Sequence, residues 1–400
     1  MISYPQGYRF AVAAAGFKTW KRTDLGLVIS NGPANVAAMF TTNAFQAAPI
    51  LIAREHLAAV SQTHAVVINA GQANACTGDQ GLINCRTSLE LVARATGLCA
   101  TDILPASTGV IGVQLPMDKW TAAMPTLVRS LNTRDSGPIE FARTIMTTDQ
   151  FPKLAWETLT ITDASSQPRE VRLCGIAKGA GMICPNMATM LAVLLTDAQI
   201  APDLLRRLLN RAVNKSFSRI TVDGGTSTND AIFLLANGHA NVTVSEAIAD
   251  AFDAILVTVC RKLAYQIVED AEGGTKVLRI VVSGASSTKD AALTARTVGN
   301  SLLVKTAFYG KNPNWGRIVA AIGHSGAAFN PKMVTVSIAK IPIFNYGQPV
   351  TGDIDSLFAH ILRRQNISLE ISLGDGPGRY TMLAADLSHD YVSLNADYQT

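Results

Sequence analysis

A chain of 400 residues and 42.4 kDa has room for two or three domains. Apolar residues make up 48% and charged residues 16%, which excludes intrinsic disorder and provides for a large core. The net charge is only +4, and arginine doublets occur only at Arg206-Arg207 and Arg363-Arg364, so no basic stripe suits a nucleic acid.

No apolar run reaches the ~18–20 residues that span a bilayer. The N-terminal MISYPQGYRFAVAAAGFK lacks a basic region followed by a long apolar one and does not read as a secretion signal. Six cysteines (Cys76, Cys85, Cys99, Cys174, Cys184, Cys260) are sparse for a disulfide framework and form no CxxC pair. The six histidines form no HExxH. The expectation is a cytoplasmic protein with reduced thiols and no metal.

In chain order, HAVVIN (residues 64–69) predicts a strand. Two small-residue clusters follow, Asn69–Gly78 and Ser107–Gly109. Another, Lys178–Met182, leads into the apolar run that ends at Leu195. PDLLRRLLNRAVN (202–214) predicts a helix, with Asp203 near its start beside Pro202. DGGTSTND (223–230) is a polar turn. Residues 245–269 carry apolar side chains at three- and four-residue spacing and predict a second helix, and VLRIVVS (277–283) predicts a strand. SGASSTKD (283–290) is the weakest seam in the chain and is read as a domain boundary. Gly374–Gly378 is a last glycine cluster, and no repeat of 20–50 residues appears. Alternating β and α units predict an α/β or α+β fold. Each glycine cluster alone is a turn; together they suit a polar pocket built from loops.

The familiar catalytic signatures are missing. There is no GxSxG elbow, no GxxxxGK[ST] and no GxGxxG opening a βα turn. DGGTSTND lacks the glycine position and terminal Glu of a calcium loop. The informative segment is KGAGMICPNMATMLAVLL (178–195), which sets Thr189 where a loop enters the core. Two readings stand on chemistry alone. The Thr189 hydroxyl is satisfied by backbone, or Thr189 is a nucleophile released by backbone cleavage. An N-terminal Thr carries a hydroxyl and its own α-amino base, whose pKa of about 7.7–8.0 lies near working pH. Small neighbours such as Ala188 and Gly181 leave room for an N-to-O acyl shift.

The motifs decide between these readings. They are Asp24-Leu25 after Arg22, Phe40-Thr-Thr-Asn43, Asn74-Ala-Cys-Thr-Gly78, Ser107-Thr-Gly-Val-Ile-Gly112, Met146-Thr-Thr-Asp149 and Pro152-Lys153. They continue through KGAGMICPNMATML, ITVDGGTSTND, Glu272-Gly-Gly-Thr-Lys276, Val304-Lys-Thr306, Pro313-Asn-Trp-Gly-Arg317 and Asn395–Thr400. Over essentially its whole length the chain resembles the ornithine acetyltransferase (glutamate N-acetyltransferase) family of arginine biosynthesis.

The resemblance implies an αββα sandwich, layered like the N-terminal-nucleophile hydrolases, with a smaller C-terminal α/β domain. The main domain would span 1–285, and 286–400 would form the smaller one, its tail returning to the site. It implies self-cleavage between Ala188 and Thr189, into 1–188 and 189–400, with the pieces held as an α2β2 heterotetramer. Thr189 would take acetyl from N2-acetylornithine and pass it to glutamate through an acetyl-enzyme. No cofactor is implied, although acetyl-CoA is a possible co-substrate. The Thr108 hydroxyl and Gly109 N–H match the oxyanion hole. Lys178 matches a substrate-site lysine and Glu272 an acidic partner for an ammonium group. Thr147, preferred over Thr148, matches a substrate threonine, and Asn395 and Thr400 match a terminal pair that reaches the substrate. Trp315 reads as a packed anchor, and Asp223, Asn229 and Asp230 as loop architecture. The competing hypotheses are a self-processing aminopeptidase or amidohydrolase, a secondary-metabolism acetyltransferase, and a binding protein that never cleaves.

Overall fold

The computed structural model describes residues 4–18, 22–131, 137–162, 167–184 and 190–397. The fold is organised by one long strand, Leu25–Phe40. Its first half pairs with Tyr8–Ala13 and with Gln62–Gln72, and the latter pairs in parallel with Ile103–Val110. Its second half pairs with Ala231–Ala236, and the sheet continues through Leu191–Thr196, Pro168–Lys178 and Lys153–Thr162. Between the halves the register slips, from Ile29 to Ala34, across Gly32 and Pro33. Proline has no N–H for the ladder, so the sheet bends there.

The bend folds the sheet onto itself. Tyr8, Phe10, Val28, Val66 and Ile68 from one half meet Cys174, Ile176, Val193, Phe233 and Leu235 from the other in a single buried cluster. The Tyr8 hydroxyl lies 3.1 Å from the Thr196 carbonyl and 3.0 Å from the Leu235 carbonyl, bridging the two halves. Each outer face takes its own helices. Gly78–Thr96 and Met117–Ser130 cover the first half, burying Leu89, Trp120 and Leu127. Pro202–Asn214 and Ala249–Glu269 cover the second, burying Leu205, Leu209, Phe252 and Leu263. The layers are therefore α, β, β, α, as expected.

A second sheet contains, in order, Gln348–Pro349, Ile341–Asn345, Thr335–Ile338, Asn366–Ser372, Val277–Gly284, Gly376–Ala385 and Ile220–Thr221. Helices Thr288–Asn300, Leu302–Tyr309 and Trp315–Gly323 share its core. Trp315 stacks on Phe344 at 5.5 Å, a packing role.

This sheet corrects the expected boundary at 285. Val277–Gly284 sits inside the second sheet, between Asn366–Ser372 and Gly376–Ala385. The change of layer therefore falls ahead of Val277. The small polar run after the strand is a helix start: the Ser287 hydroxyl accepts the Asp290 N–H at 3.1 Å. Serine caps and serine-rich linkers look alike in sequence.

Local expectations fared well where periodicity was strong. The strand at 64–69 lies within Gln62–Gln72, and the helix Pro202–Asn214 has the predicted bounds. The helix expected from 245 begins at Ala249, after a 3-10 turn at Glu246–Ile248. Among the described residues no helix is long and apolar enough to cross a membrane.

Candidate active site

Several chain segments converge on a cavity of about 250 Å³. Strand Ile103–Val110 brings Thr108 and Gly109 to it, and Pro168–Lys178 brings Lys178. The loop after helix Pro138–Ile145 brings Thr147 and Thr148. Glu272 follows helix Ala249–Glu269, and Tyr391 and Asn395 reach in from the last helix, His389–Asp397. A second recess of about 250 Å³ adjoins through Thr147, Thr148, Glu272 and Asn395, with Arg22 and Leu394 on its wall.

Lys178 is the hub. It is buried, and its Nζ donates to Thr147 Oγ1 at 2.6 Å and to Thr108 Oγ1 at 3.3 Å. An ammonium only donates, so each hydroxyl accepts from Lys178 and keeps its own hydrogen to give elsewhere. Burial pushes the Lys178 amine down from its usual value, Asp149 opposes this, Lys153 adds to it, and Glu272 and Asp230 oppose it.

Beneath Lys178 lies a buried charge network. Asp149 accepts from Lys153 Nζ at 2.7 Å, from the Gly179 N–H at 2.7 Å and from the Thr147 N–H at 2.9 Å. It stands 3.9 Å from Lys178 Nζ. Burial alone would push the Asp149 carboxyl up; Lys178, Lys153 and these hydrogen bonds overturn that and hold it well below the usual carboxylate range. Lys153 also contacts Asp270 at 2.5 Å. Burial pushes the Asp270 carboxyl up, and Lys153 only partly restores it. Asp149 is thus the firmly ionised member. It clamps the Thr147 loop to the turn after Lys178.

The opposite wall is negative. Glu272 Oε2 accepts from Asn395 Nδ2 at 3.0 Å, and the Glu272 N–H donates to the Ala180 carbonyl at 3.0 Å. A Cβ on Gly181 would lie 2.2 Å from the Glu272 carboxylate, so only glycine lets that carboxylate rest over the turn. Asp223 accepts from the Met182 and Ile183 N–H groups at 2.6 and 3.0 Å, fixing the chain shortly before Ala188-Thr189. Burial, Asp223 and Glu272 push the Tyr391 phenol up, and its hydrogen bond to Asp223 adds to this.

The Ser107–Gly109 turn is braced from behind. Asn229 Nδ2 donates to the Ser107 carbonyl at 2.9 Å and to the Ala73 carbonyl at 2.6 Å. Gly109 has φ +128°, and a Cβ there would lie 2.3 Å from the Gly71 backbone, so this position requires glycine.

Six of the sequence-predicted residues therefore line one cavity: Thr108, Gly109, Thr147, Lys178, Glu272 and Asn395. Thr148 lines it too, but the hydrogen bond to Lys178 is made by Thr147. Ala188, Thr189 and Thr400 lie outside the described residues; Cys184 and Met190 are the nearest described neighbours of the first two. Sequence reasoning gave no role to Asp149, Lys153, Asp270 or Tyr391. A signal existed for the first two: charges four residues apart, entering a strand, in a chain poor in charge.

The ArgJ family model matches residues 9–400. The chain belongs to the ArgJ family. It is 52% identical over 400 residues to the arginine biosynthesis bifunctional protein ArgJ of Nitratidesulfovibrio vulgaris, covering 100% of both chains. It is 44% identical over 398 residues to the ArgJ of Geobacter sulfurreducens, covering 99% of each. Among solved structures it resembles an ArgJ chain from Bacillus halodurans, with 35% identity and a TM-score of 0.50. That match covers 52% of this chain and 98% of the other.

Proposed function

We propose that this ArgJ-family chain is a self-processing glutamate N-acetyltransferase of arginine biosynthesis, moving acetyl from N2-acetylornithine to glutamate by way of an acetyl-Thr189 enzyme. The observation that carries the site assignment is the polarity of the cavity. A buried ammonium, Lys178, stands on one wall and a carboxylate, Glu272, on the other. Such a pair suits the carboxylate and ammonium groups of an amino-acid substrate. Membership of a family whose relatives are named arginine biosynthesis bifunctional proteins supports the reaction.

In this mechanism Thr189 attacks the acetyl carbonyl of the donor, with its own α-amino group as base. The Thr108 hydroxyl, left with a free hydrogen by Lys178, and the Gly109 N–H receive the developing oxyanion. One such donor is worth about 3–4 kcal/mol of barrier. Lys178 adds positive charge behind Thr108 and holds Thr147 toward the substrate. Ornithine leaves, glutamate enters the same polar cavity, and its amine takes the acetyl group. Asn395 holds Glu272 in place, and a substrate contact for Thr400 rests on the family resemblance alone. Acetyl-CoA would load the same Thr189, and the adjoining recess beside Arg22 gives a longer anionic donor room. The cleaved chains would remain together as an α2β2 tetramer in the cytoplasm.

Denaturing mass spectrometry of the wild type beside Thr189→Ala tests the reading. Two fragments of about 20 and 22 kDa from the 42.4 kDa wild type, one chain in the variant, and glutamate-dependent consumption of acetylornithine are expected. Acetate release that ignores glutamate would identify a hydrolase instead. A full-length wild-type chain that still transfers acetyl would rule out the N-terminal threonine.

A further inference from the structure

A separate cavity of about 300 Å³ lies where the helix layer meets the second sheet, and it shares no residue with the catalytic cavity. The turn after helix Pro202–Asn214, helix Ala249–Glu269 and the strands Ile220–Thr221, Val277–Gly284 and Gly376–Ala385 form its walls. Four cations line it, Lys215, Arg219, Arg261 and Arg279, and none of the described lining residues is a carboxylate. The sheet register gathers them. Arg279 stands opposite Leu383, and Leu383 stands opposite Ile220, the residue after Arg219.

Exposed cations ordinarily form a solvated face. Here two of them are held in place. Arg219 Nε donates to the Asn214 carbonyl at 2.7 Å, and its guanidinium lies 4.5 Å from the centre of the Tyr380 ring. Arg261 Nε donates to the Lys215 carbonyl at 3.3 Å. In both, backbone takes the Nε–H, and the two terminal nitrogens have no acceptor among the described residues. Of the four cations only Lys215 enters an ion pair among the described residues, with Asp253 at 3.3 Å. Elsewhere on the surface arginines face acids: Arg86 meets Glu55 at 2.6 Å, Arg143 meets Glu140 at 2.6 Å, and Arg211 meets Asp250 at 3.2 Å. A cleft lined by one sign of charge focuses its field on what enters.

We propose that this cavity binds a phosphoryl group, either as free phosphate or pyrophosphate or as the phosphate end of a nucleotide. Two guanidinium forks with free terminal N–H groups match the oxygens of a phosphate, and Arg279 and Lys215 add charge. A carboxylate brings one charge and two oxygens; a phosphate brings about two charges and three oxygens, which answers more of the four cations. Arg261 belongs to the helix layer and Arg279 to the second sheet, so the ligand ties the two together and stabilises the fold by mass action. The site uses no residue of acetyl transfer and stands apart from that reading.

The test is isothermal titration of the purified protein with phosphate, pyrophosphate, ADP and citrate at matched ionic strength. It is run on the wild type, Arg261→Gln, Arg279→Gln and, as a control outside the cavity, Arg206→Gln, whose arginine pairs with Asp203. Pyrophosphate should bind the wild type with a Kd below about 1 mM and raise its melting temperature. Arg261→Gln and Arg279→Gln should each weaken binding about tenfold, with acetyl transfer unchanged, and Arg206→Gln should not weaken it. ADP binding more tightly than pyrophosphate identifies a nucleotide as the source; pyrophosphate binding at least as tightly identifies the free anion. Both side chains are exposed, so both variants should fold; should Arg261→Gln not fold, Arg279→Gln decides. Wild-type binding no stronger than the salt control, equal weakening by Arg206→Gln, or citrate bound as tightly as pyrophosphate would overturn the proposal.

Discussion

Replacing Lys153 by methionine isolates the charge network under the cavity. The lysine is fully buried, with Asp149 at 2.7 Å and Asp270 at 2.5 Å. At an effective dielectric of about 20, a 2.7 Å contact amounts to about 6 kcal/mol of gross attraction, much of it offset by desolvation. Removing the cation also strands two buried carboxylates. The net loss expected at pH 7 is about 3–5 kcal/mol, read by guanidinium denaturation. The pH dependence should reverse as well. In the wild type Asp149 is held low, so its contribution is present above the unfolded carboxylate pKa near 3.9 and disappears as pH falls through the folded value. In the variant the folded carboxyls are pushed up, so stability should fall as pH rises from about 4 toward neutral. Acetyl transfer should weaken too, because Asp149 anchors the Thr147 N–H and the Gly179 N–H. A loss below about 1 kcal/mol, or a variant with the wild-type pH slope, would refute this account.

Three further outcomes follow from the site. Glu272→Gln keeps an acceptor for Asn395 but loses the charge facing an ammonium group, and should lower kcat/KM for acetylornithine by about 10- to 100-fold with the melting temperature unchanged. Gly181→Ala pushes a methyl group into that same carboxylate and should reproduce the defect, which steady-state kinetics on both variants would check. Lys18 donates to the Met146 carbonyl at 2.5 Å, and burial, with Arg22 and Lys178, lowers its amine to about 7. The unfolded chain holds that proton up to about 10.4, so between these values it binds more protons than the folded chain and Lys18 makes stability rise with pH. Lys18→Met should remove that rise between pH 7 and 10 in denaturation curves.

The sequence exposed the site better than the framework. Thr108, Gly109, Lys178 and Glu272 were picked out by the family resemblance their motifs carry; taken singly, Lys178 reads as a solvated lysine and Glu272 as a surface carboxylate. The helix Pro202–Asn214 was equally plain, because one face is leucine-rich and the other carries arginine. The sheet fold was not plain. Its cause is a register slip at Gly32-Pro33 inside a 16-residue strand, and what the slip does depends on partners 30 to 200 residues away. The boundary near 285 failed for a related reason: Ser287 is a helix cap, and a cap is told from a linker only when the helix it starts is seen to pack. Lys153 received no role despite Asp149 four residues before it, because a lysine in sequence is nearly always solvated. Only the fold reveals that Asp270, 117 residues away, closes on it.

The last helix, His389–Asp397, has no buried residue, so apolar burial contributes little to holding it. What fixes it is polar. The Ser388 hydroxyl donates to the Gly273 carbonyl at 2.5 Å and accepts the Tyr391 N–H at 3.2 Å, while Asn395 bonds Glu272. These contacts land on Gly273, on Glu272 or on the helix itself; Tyr391 also bonds Asp223 at the cavity, and His389 meets the edge of the Tyr309 ring at 5.5 Å. The helix therefore serves the cavity more than the fold. Ending the chain after Ser388 should change unfolding free energy by about 1 kcal/mol or less, since exposed hydrogen bonds are worth that little. The same truncation should raise KM for acetylornithine by about tenfold or more, because Glu272 loses its tether and the cavity loses two walls. Asn395→Ala should show a smaller shift in the same direction. A truncated chain that loses several kcal/mol would mean the helix is part of the folding core; one with unchanged KM would mean that the tail does not shape the substrate site.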